Sequence, residues 1–335
     1  MLKRTLKNKM PGVVIWRDGT KNATTGGFGV VTIGASTLTL QRVDIVTGST
    51  ITIDWGDGSS NTYDDTANGS TKTHAYSGAG SFALTIKDAR NIKEVDFRDA
   101  KIVSFNSSFF KSCGDNLISI SLYHTLTTPV IDSTDMAHLH LSNRLYLSCT
   151  QAGTYAIDSS HFASYTLSSQ LFLNFSQAGT YSIDSSDFAS YTLSLQLLLY
   201  FSQAGTYAID SSDFAAYTLS SRLYLFFNQT GTFSKTIARA DFNGFTALPT
   251  VVIEMGLDAT DVDNILLGFY DALASKTNTG GTIDLAGNGN AAPSGTYQAQ
   301  VPPITGKEAA YELLNDSGGI STKHWATVTV EGGLP

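Results

Sequence analysis

The sequence predicts a β-rich chain in successive parts: a small β-sandwich over residues 37–90, a solenoid of 26-residue period over 91–255, and an α/β cap over 256–335, all preceded by an arm over 1–36. Three observations carry this reading. Short runs such as Thr37-Leu-Thr-Leu40, Ile51-Thr-Ile-Asp-Trp55 and Phe82-Ala-Leu-Thr-Ile86 alternate apolar and polar residues between Gly/Asn/Ser/Asp clusters, the pattern of half-buried strands. The phrase Gln-Ala-Gly-Thr-Tyr starts at Gln151, Gln177 and Gln203 and returns as Gln229-Thr-Gly-Thr-Phe233, always 26 residues on. A fixed period in the twenties marks units that cannot bury their own apolar faces and so stack on their neighbours. Beyond Met255 the period ends and helical spacing replaces it.

The arm begins with Lys3, Arg4, Lys7 and Lys9 and continues into the Gly/Thr-rich stretch Thr24–Val30, expected as an extended arm or edge strand. Its basic start leads into Pro11-Gly12 and not into an apolar stretch, so no secretion signal is expected. In the sandwich, Asp54-Trp-Gly-Asp-Gly-Ser59 forms a turn and is followed by Thr73-His-Ala-Tyr76 and Gly80-Ser-Phe82. Over residues 37–88 these motifs resemble the PKD domain, a small immunoglobulin-like sandwich with a Trp-Gly-Asp-Gly turn and a later Tyr-x-x-x-Gly-x-Phe/Tyr corner. The resemblance implies a stalk or spacer, sometimes carbohydrate-associated, with Trp55, Gly56, Asp57 and Gly58 as structural turn residues.

Asn91–Phe97, Ile102–Phe105 and Leu117–Leu122 read as irregular early repeats, with regular ones from Ile131. Leu145-Tyr-Leu147, Leu171-Phe-Leu173, Leu197-Leu-Leu199 and Leu223-Tyr-Leu225 align as the ladder strand, and Gly-Thr-Tyr-x-Ile as a second extended segment. Asp184-Ser-Ser-Asp-Phe-Ala-Ser-Tyr191 then offers an N-cap, an acidic first turn, and Phe188, Tyr191 and Leu195 at helical spacing, enough for a turn or two of helix or a 3₁₀ stretch. This unit is similar to the leucine-rich repeat, particularly the divergent kind of phage tail and bacterial surface proteins. It departs from that pattern because Ser148, Asn174, Tyr200 and Phe226 occupy the expected turn after the strand, so no asparagine ladder forms. The last repeat slips by two residues, to Asp241-Phe242, as a terminal unit can.

In the cap, Thr260 opens a helix with Val262, Ile265, Leu266, Phe269 and Leu273 on one side. Thr282–Leu285, the loop Gly287-Asn-Gly-Asn-Ala-Ala-Pro293, a helix over Lys307–Asn315 and a strand over Ala326–Val330 follow. This order resembles the cap that closes leucine-rich-repeat proteins of phage virions.

The chain is 15% charged with net charge −8, which lacks the basic stripe a nucleic-acid binder needs. No apolar run approaches the ~20 residues of a membrane span. Cys113 and Cys149 lie in different units and are not expected to bridge. Nucleophile-elbow, phosphate-loop and zinc-protease signatures are missing. Asp158, Asp184 and Asp210 recur with the period, as do Asp187 and Asp213, and paired carboxylates serve glycoside hydrolysis. Their presence in every unit favours capping instead. Asp54 and Asp57 flank a turn that calcium could use, and His138 and His140 share a face, but the turn and a surface pair explain them, and no metal or cofactor is expected. The recurring Tyr155, Tyr181 and Tyr207, with Tyr165, Tyr191 and Tyr217, either pack repeat on repeat or grip a sugar or partner protein, and in the second reading they are the candidate ligand or partner surface.

The expected function is that of a non-enzymatic phage virion protein of tail, baseplate or head-associated fibre, assembled in the host cytoplasm. It would attach to other virion proteins or to a host glycan or receptor, as a homo-oligomer, without nucleic acid or membrane insertion. The alternatives are a bacterial cell-surface adhesin and a β-solenoid carbohydrate-active enzyme.

Overall fold

The computed structural model describes residues 25–33, 37–78, 80–97, 104–123, 128–228, 230–247, 250–277, 280–321 and 324–333. The basic cluster from Lys3 to Lys9 lies outside them. The molecule is β-rich, with two ten-stranded sheets and a two-stranded ribbon among the described residues.

The front part holds β1 (Thr25–Ile33), β2 (Thr37–Leu40), β3 (Arg42–Ile45), β4 (Thr50–Asp54), β5 (Ser60–Asp64), β6 (Lys72–Ala75) and β7 (Gly80–Lys87). The periodic part starts with β8 (Ile92–Asp96), β9 (Ser104–Asn106), β10 (Ser119–Tyr123) and β11 (Thr128–Asp132). It continues with β12 (Arg144–Cys149), β13 (Thr154–Asp158), β14 (Gln170–Phe175), β15 (Thr180–Asp184), β16 (Gln196–Phe201), β17 (Thr206–Asp210), β18 (Arg222–Phe227), β19 (Thr232–Thr236) and β20 (Thr250–Glu254). Last come α1 (Ala259–Asp271), β21 (Thr282–Leu285), α2 (Gly306–Asn315) and β22 (Thr327–Val330).

The first sheet runs β19-β17-β15-β13-β11-β9-β1-β7-β4-β5, and the second runs β22-β21-β20-β18-β16-β14-β12-β10-β8-β3. Each sheet therefore crosses from the front part into the periodic part through an antiparallel pair, β1 with β9 and β3 with β8. Thr25–Ile33, expected as an arm or edge strand, is instead paired on both sides, with β7 and with β9. The pairing with β7 shifts register by one residue between Gly27 and Gly29, a bulge in this strand.

From β12 to β18 the second sheet is a parallel ladder in which partners stand 26 residues apart, as Leu171 with Leu197 and Leu197 with Leu223. Across most of the first sheet the partners are 24 apart, so Ile157 faces Tyr181 and Ile183 faces Tyr207. A slip of two residues preserves the inward face, because side chains alternate with period two. One coil thus alternates Leu, Leu and Phe of one sheet with Tyr and Ile of the other around a shared core.

Sequence explains the corners. Asp158, Asp184 and Asp210 stay extended and accept from the backbone N–H groups of Ser160, Ser186 and Ser212, which starts a 3₁₀ turn in each coil. Phe162, Phe188 and Phe214 in those turns are buried against Tyr165, Tyr191 and Tyr217. A third side is held by backbone bonds between coils, such as Ser194 N–H to Ser168 C=O at 3.1 Å, doubled by the Ser194 hydroxyl at 2.9 Å.

The repeated phrase has one role per residue. The Gln177 and Gln203 amides donate back to the Thr150 and Ser176 carbonyls of the preceding coil. Gly179 and Gly205 pass so near their neighbours that an added Cβ would lie 2.8 Å from the Tyr155 carbonyl oxygen and 2.6 Å from the Tyr207 ring. At the far end, the 3₁₀ turn Arg239–Phe242 meets α1, where Phe242 packs edge to face on Phe245 and at a tilt on Phe269, and Phe269 packs edge to face on Trp325. The loop after β21 closes the second sheet, as buried Asn290 accepts from the Met255 and Leu257 N–H groups and donates to the Ile253 and Leu285 carbonyls.

Candidate functional site

The six tyrosines expected to form a contact surface do not reach it. Tyr155, Tyr181 and Tyr207 are 2% exposed or less and donate their hydroxyls to the carbonyls of Gln151, Gln177 and Gln203, four residues back. Tyr165, Tyr191 and Tyr217 are equally buried and donate to the carbonyls of Met136, Phe162 and Phe188 in the preceding coil at 2.7–2.8 Å. Burial pushes all six hydroxyls up, away from ionisation. The reason is geometric: Gly-Thr-Tyr-x-Ile places Tyr and Ile two apart, on the face of the strand that looks into the core.

The periodic carboxylates form two columns with distinct work. Asp132, Asp158, Asp184 and Asp210 cap their 3₁₀ turns. Asp135, Asp187, Asp213 and Asp241 each accept the hydroxyl of a serine one coil back, Ser107, Ser159, Ser185 and Ser211, at 2.5–2.6 Å. The same serine oxygens accept the backbone N–H of the next coil, from Asp132, Asp184, Asp210 and Ala238. His161 stands in the Asp position of this column, and its Nδ1 lies 2.8 Å from the Ser133 hydroxyl. Burial, followed by the neighbouring carboxylates, pushes Asp187 and Asp213 above the ordinary carboxylate range. A cleft of about 340 Å³ opens between Asp184, Asp210, Asp213 and Lys235, and Lys235 leads out of it to Asp261 at 2.9 Å.

The Trp-Gly-Asp-Gly turn is a packed structural element. Trp55 is fully buried, donates from Nε1 to Asn61 Oδ1 at 2.7 Å, stacks on His74 at 4.9 Å and accepts the Tyr76 hydroxyl at its carbonyl. Gly56 has φ +82°, and an added Cβ there would lie 2.5 Å from the Ala83 carbonyl oxygen. Gly58 also has positive φ, +89°. Both Asp57 oxygens are engaged, Oδ1 by the Ser59 backbone and hydroxyl and Oδ2 by His74 at 2.8 Å. Those bonds, the Ser59 hydroxyl first, hold the Asp57 carboxyl down at about 2. The His138 imidazole faces the Cys113 carbonyl at 3.3 Å. Cys113 and Cys149 are free and buried, and burial pushes both thiols up. Among the described residues no three His, Cys, Asp or Glu side chains converge as a metal would need, and no helix is long and apolar enough to cross a membrane.

The surface that the sequence reading missed is the outer face of the second sheet. Ser148, Asn174, Tyr200 and Phe226 do not sit in a turn after the strand; they lie within β12, β14, β16 and β18 and form one outward column that ends at Glu254. Beside it runs a second outward column, Tyr146, Phe172, Leu198 and Tyr224, leading to Val252 and Asp284. Tyr146 stacks on Phe172 at 4.0 Å and Tyr200 on Phe226 at 4.5 Å, both nearly parallel. Tyr146, Tyr200, Tyr224 and Phe226 are half-buried, while Phe172 and Leu198 are buried by their neighbours. At the acidic end, burial first and Asp284 second push Glu254 up. The signal was present: runs such as Gln-Leu-Leu-Leu-Tyr-Phe are apolar on both faces, where a strand with one solvated face alternates.

No family model, curated protein or solved structure matches this chain.

Proposed function

We propose that the chain is a non-enzymatic structural protein of a phage particle, in the tail, baseplate or a head-associated fibre, that serves attachment or assembly through its repeat surface. In this reading residues 37–90 are a PKD-like spacer, 91–255 a leucine-rich-repeat-like solenoid and 256–335 its cap. The phage setting rests on the resemblance of the repeat and cap motifs. One observation carries the binding role: the outer face of the second sheet sets stacked aromatic pairs on a ladder paired on both sides, a rigid platform for contact. The periodic carboxylates support the non-enzymatic reading, since capping and the serine bonds engage them in coil after coil. Partners would be neighbouring virion proteins, further copies of this chain, or a host glycan or receptor.

Mass spectrometry of purified particles produced from the genome that encodes the chain tests this, together with competition of host adsorption by the soluble protein. The chain is expected in the particles at fixed stoichiometry. Absence from the particles overturns the virion assignment. Glycan hydrolysis by the purified chain that disappears in Asp184→Ala overturns the non-enzymatic one.

A further inference from the structure

We infer that the outer face of the second sheet between β10 and β18 binds a neutral oligosaccharide laid across the strands; this rests on the attachment reading above and names the ligand class of its surface.

Two observations point there independently of each other. The first is the aromatic pairing already described: nearly parallel at 4.0 and 4.5 Å, the rings face one another along the ladder and turn their edges outward, where the C–H groups of a sugar can pack on them. The second is polar. Five buried side-chain nitrogen or oxygen atoms lack a hydrogen-bond partner among the described residues, and four of them cluster on this face around Tyr146. They are Ser121 Oγ, Arg144 Nε, Ser148 Oγ and Asn174 Oδ1, and Ser121 and Ser148 are each 1% exposed. A buried polar group left unpaired is costly, so a cluster on one outward face is an unmet demand for hydrogen bonds. The set mixes a donor, an acceptor and two hydroxyls that do both, which a ring of sugar hydroxyls complements.

Charge and topology disfavour two competitors. Glu94 and Asp96 flank one end of the face and Glu254 and Asp284 the other; of the outward cations, Arg144 is engaged by Glu94, and exposed Arg222 on β18 stands against four carboxylates. That arrangement repels polyanions, nucleic acid and sulfated glycans included. An extended peptide would need a free strand edge for its backbone, and β12, β14, β16 and β18 are paired on both sides.

The test uses the full chain against a printed panel of neutral gluco-, galacto-, manno- and N-acetylglucosamine oligosaccharides, with sialylated and sulfated ones for comparison. Titration calorimetry and hydrogen exchange follow on the binders. The expected result is binding of at least one neutral member, with protection confined to residues 119–123, 144–149, 170–175, 196–201 and 222–227. Tyr200→Ala and Asn174→Ala, checked for unchanged melting, should each weaken binding, the tyrosine variant by at least about tenfold. Binding of no neutral member at millimolar concentration, preference for the anionic ones, or protection elsewhere overturns the inference. The exchange footprint of the unmodified chain decides the matter if a variant fails to fold. Particles that contain the chain and lose adsorption in its presence, yet bind no sugar through it, would sink the sugar site and leave the attachment role standing.

Discussion

The Ser–Asp column shows how a single side chain can serve two coils. Ser185 accepts the Asp210 backbone N–H and donates to Asp213, so one hydroxyl ties a strand end and a 3₁₀ turn of the next coil. Asp213 carries a cost for this, because burial and the nearby carboxylates disfavour its charged form. Its folded pKa is raised, so the stabilisation from protonation is present at low pH and lost as pH rises through the folded value. Asp213→Asn keeps an acceptor for Ser185 without the charge, and is expected to equal or exceed the parent in stability at pH 7. That advantage should shrink as pH falls below the raised folded value toward the ordinary carboxylate range. Asp213→Ala leaves the Ser185 hydroxyl only the long 3.4 Å contact to the Asp210 carbonyl and should cost about 1–2 kcal/mol. Urea unfolding of the three proteins across pH checks this, and an Asn variant less stable than the Ala variant would contradict it. At this scale the sequence was half legible. The Asp caps follow from residue type, but whether a tyrosine faces in or out depends on which strand face the second sheet covers, and that is a tertiary fact.

Elements were read more securely. The period-two runs gave β2, β4 and β7, the helical spacing gave α1, the helix expected over Lys307–Asn315 is α2, and the Asp-Ser-Ser phrase gave the 3₁₀ turns. β3, β5 and β6 were not anticipated, since Ser60–Asp64 is polar on both faces and Arg42–Ile45 and Lys72–Ala75 are only four residues long. Their pairing with β8, β4 and β2 supplies what their own residues lack. The glycines of the repeated phrase illustrate the opposite case, in which a local sequence signal has a purely inter-coil cause. An added methyl at Gly205 would lie 2.8 Å from the Tyr181 carbonyl oxygen, backbone that cannot swing aside. Gly205→Ala is therefore expected to destabilise by about 1–3 kcal/mol, as overpacking does. Gly58→Ala also loses stability, but for a different reason, its φ of +89°. Gly244, whose added Cβ would meet the Ala215 carbonyl oxygen at an ordinary 3.5 Å, is the control. Thermal melts ordered with Gly244→Ala lowest would contradict the close-approach argument.

At the scale of the molecule, both sheets pass without interruption from the front part into the coils. The strand that makes the first sheet continuous is Thr25–Ile33, in a region whose composition suggested an arm or an edge strand and not a central one. Nothing local in a Gly/Thr-rich stretch says that it will be paired on both sides, because that depends on two partners far along the chain. Removal of residues 1–36 should therefore expose the facing edges of β7 and β9. The shortened protein is expected to lose stability and to associate, seen as a lower melting temperature and larger species in light scattering. Full retention of both properties would show that the strand is dispensable.

The 26-residue register has a hereditary consequence. Because Leu171, Leu197 and Leu223 are interchangeable rungs of one ladder, a gain or loss of a whole coil returns every later residue to an equivalent neighbour. A gene that stutters or skips by that unit would yield a taller or shorter molecule with the same two ends, so reach can drift between lineages while the architecture stays put.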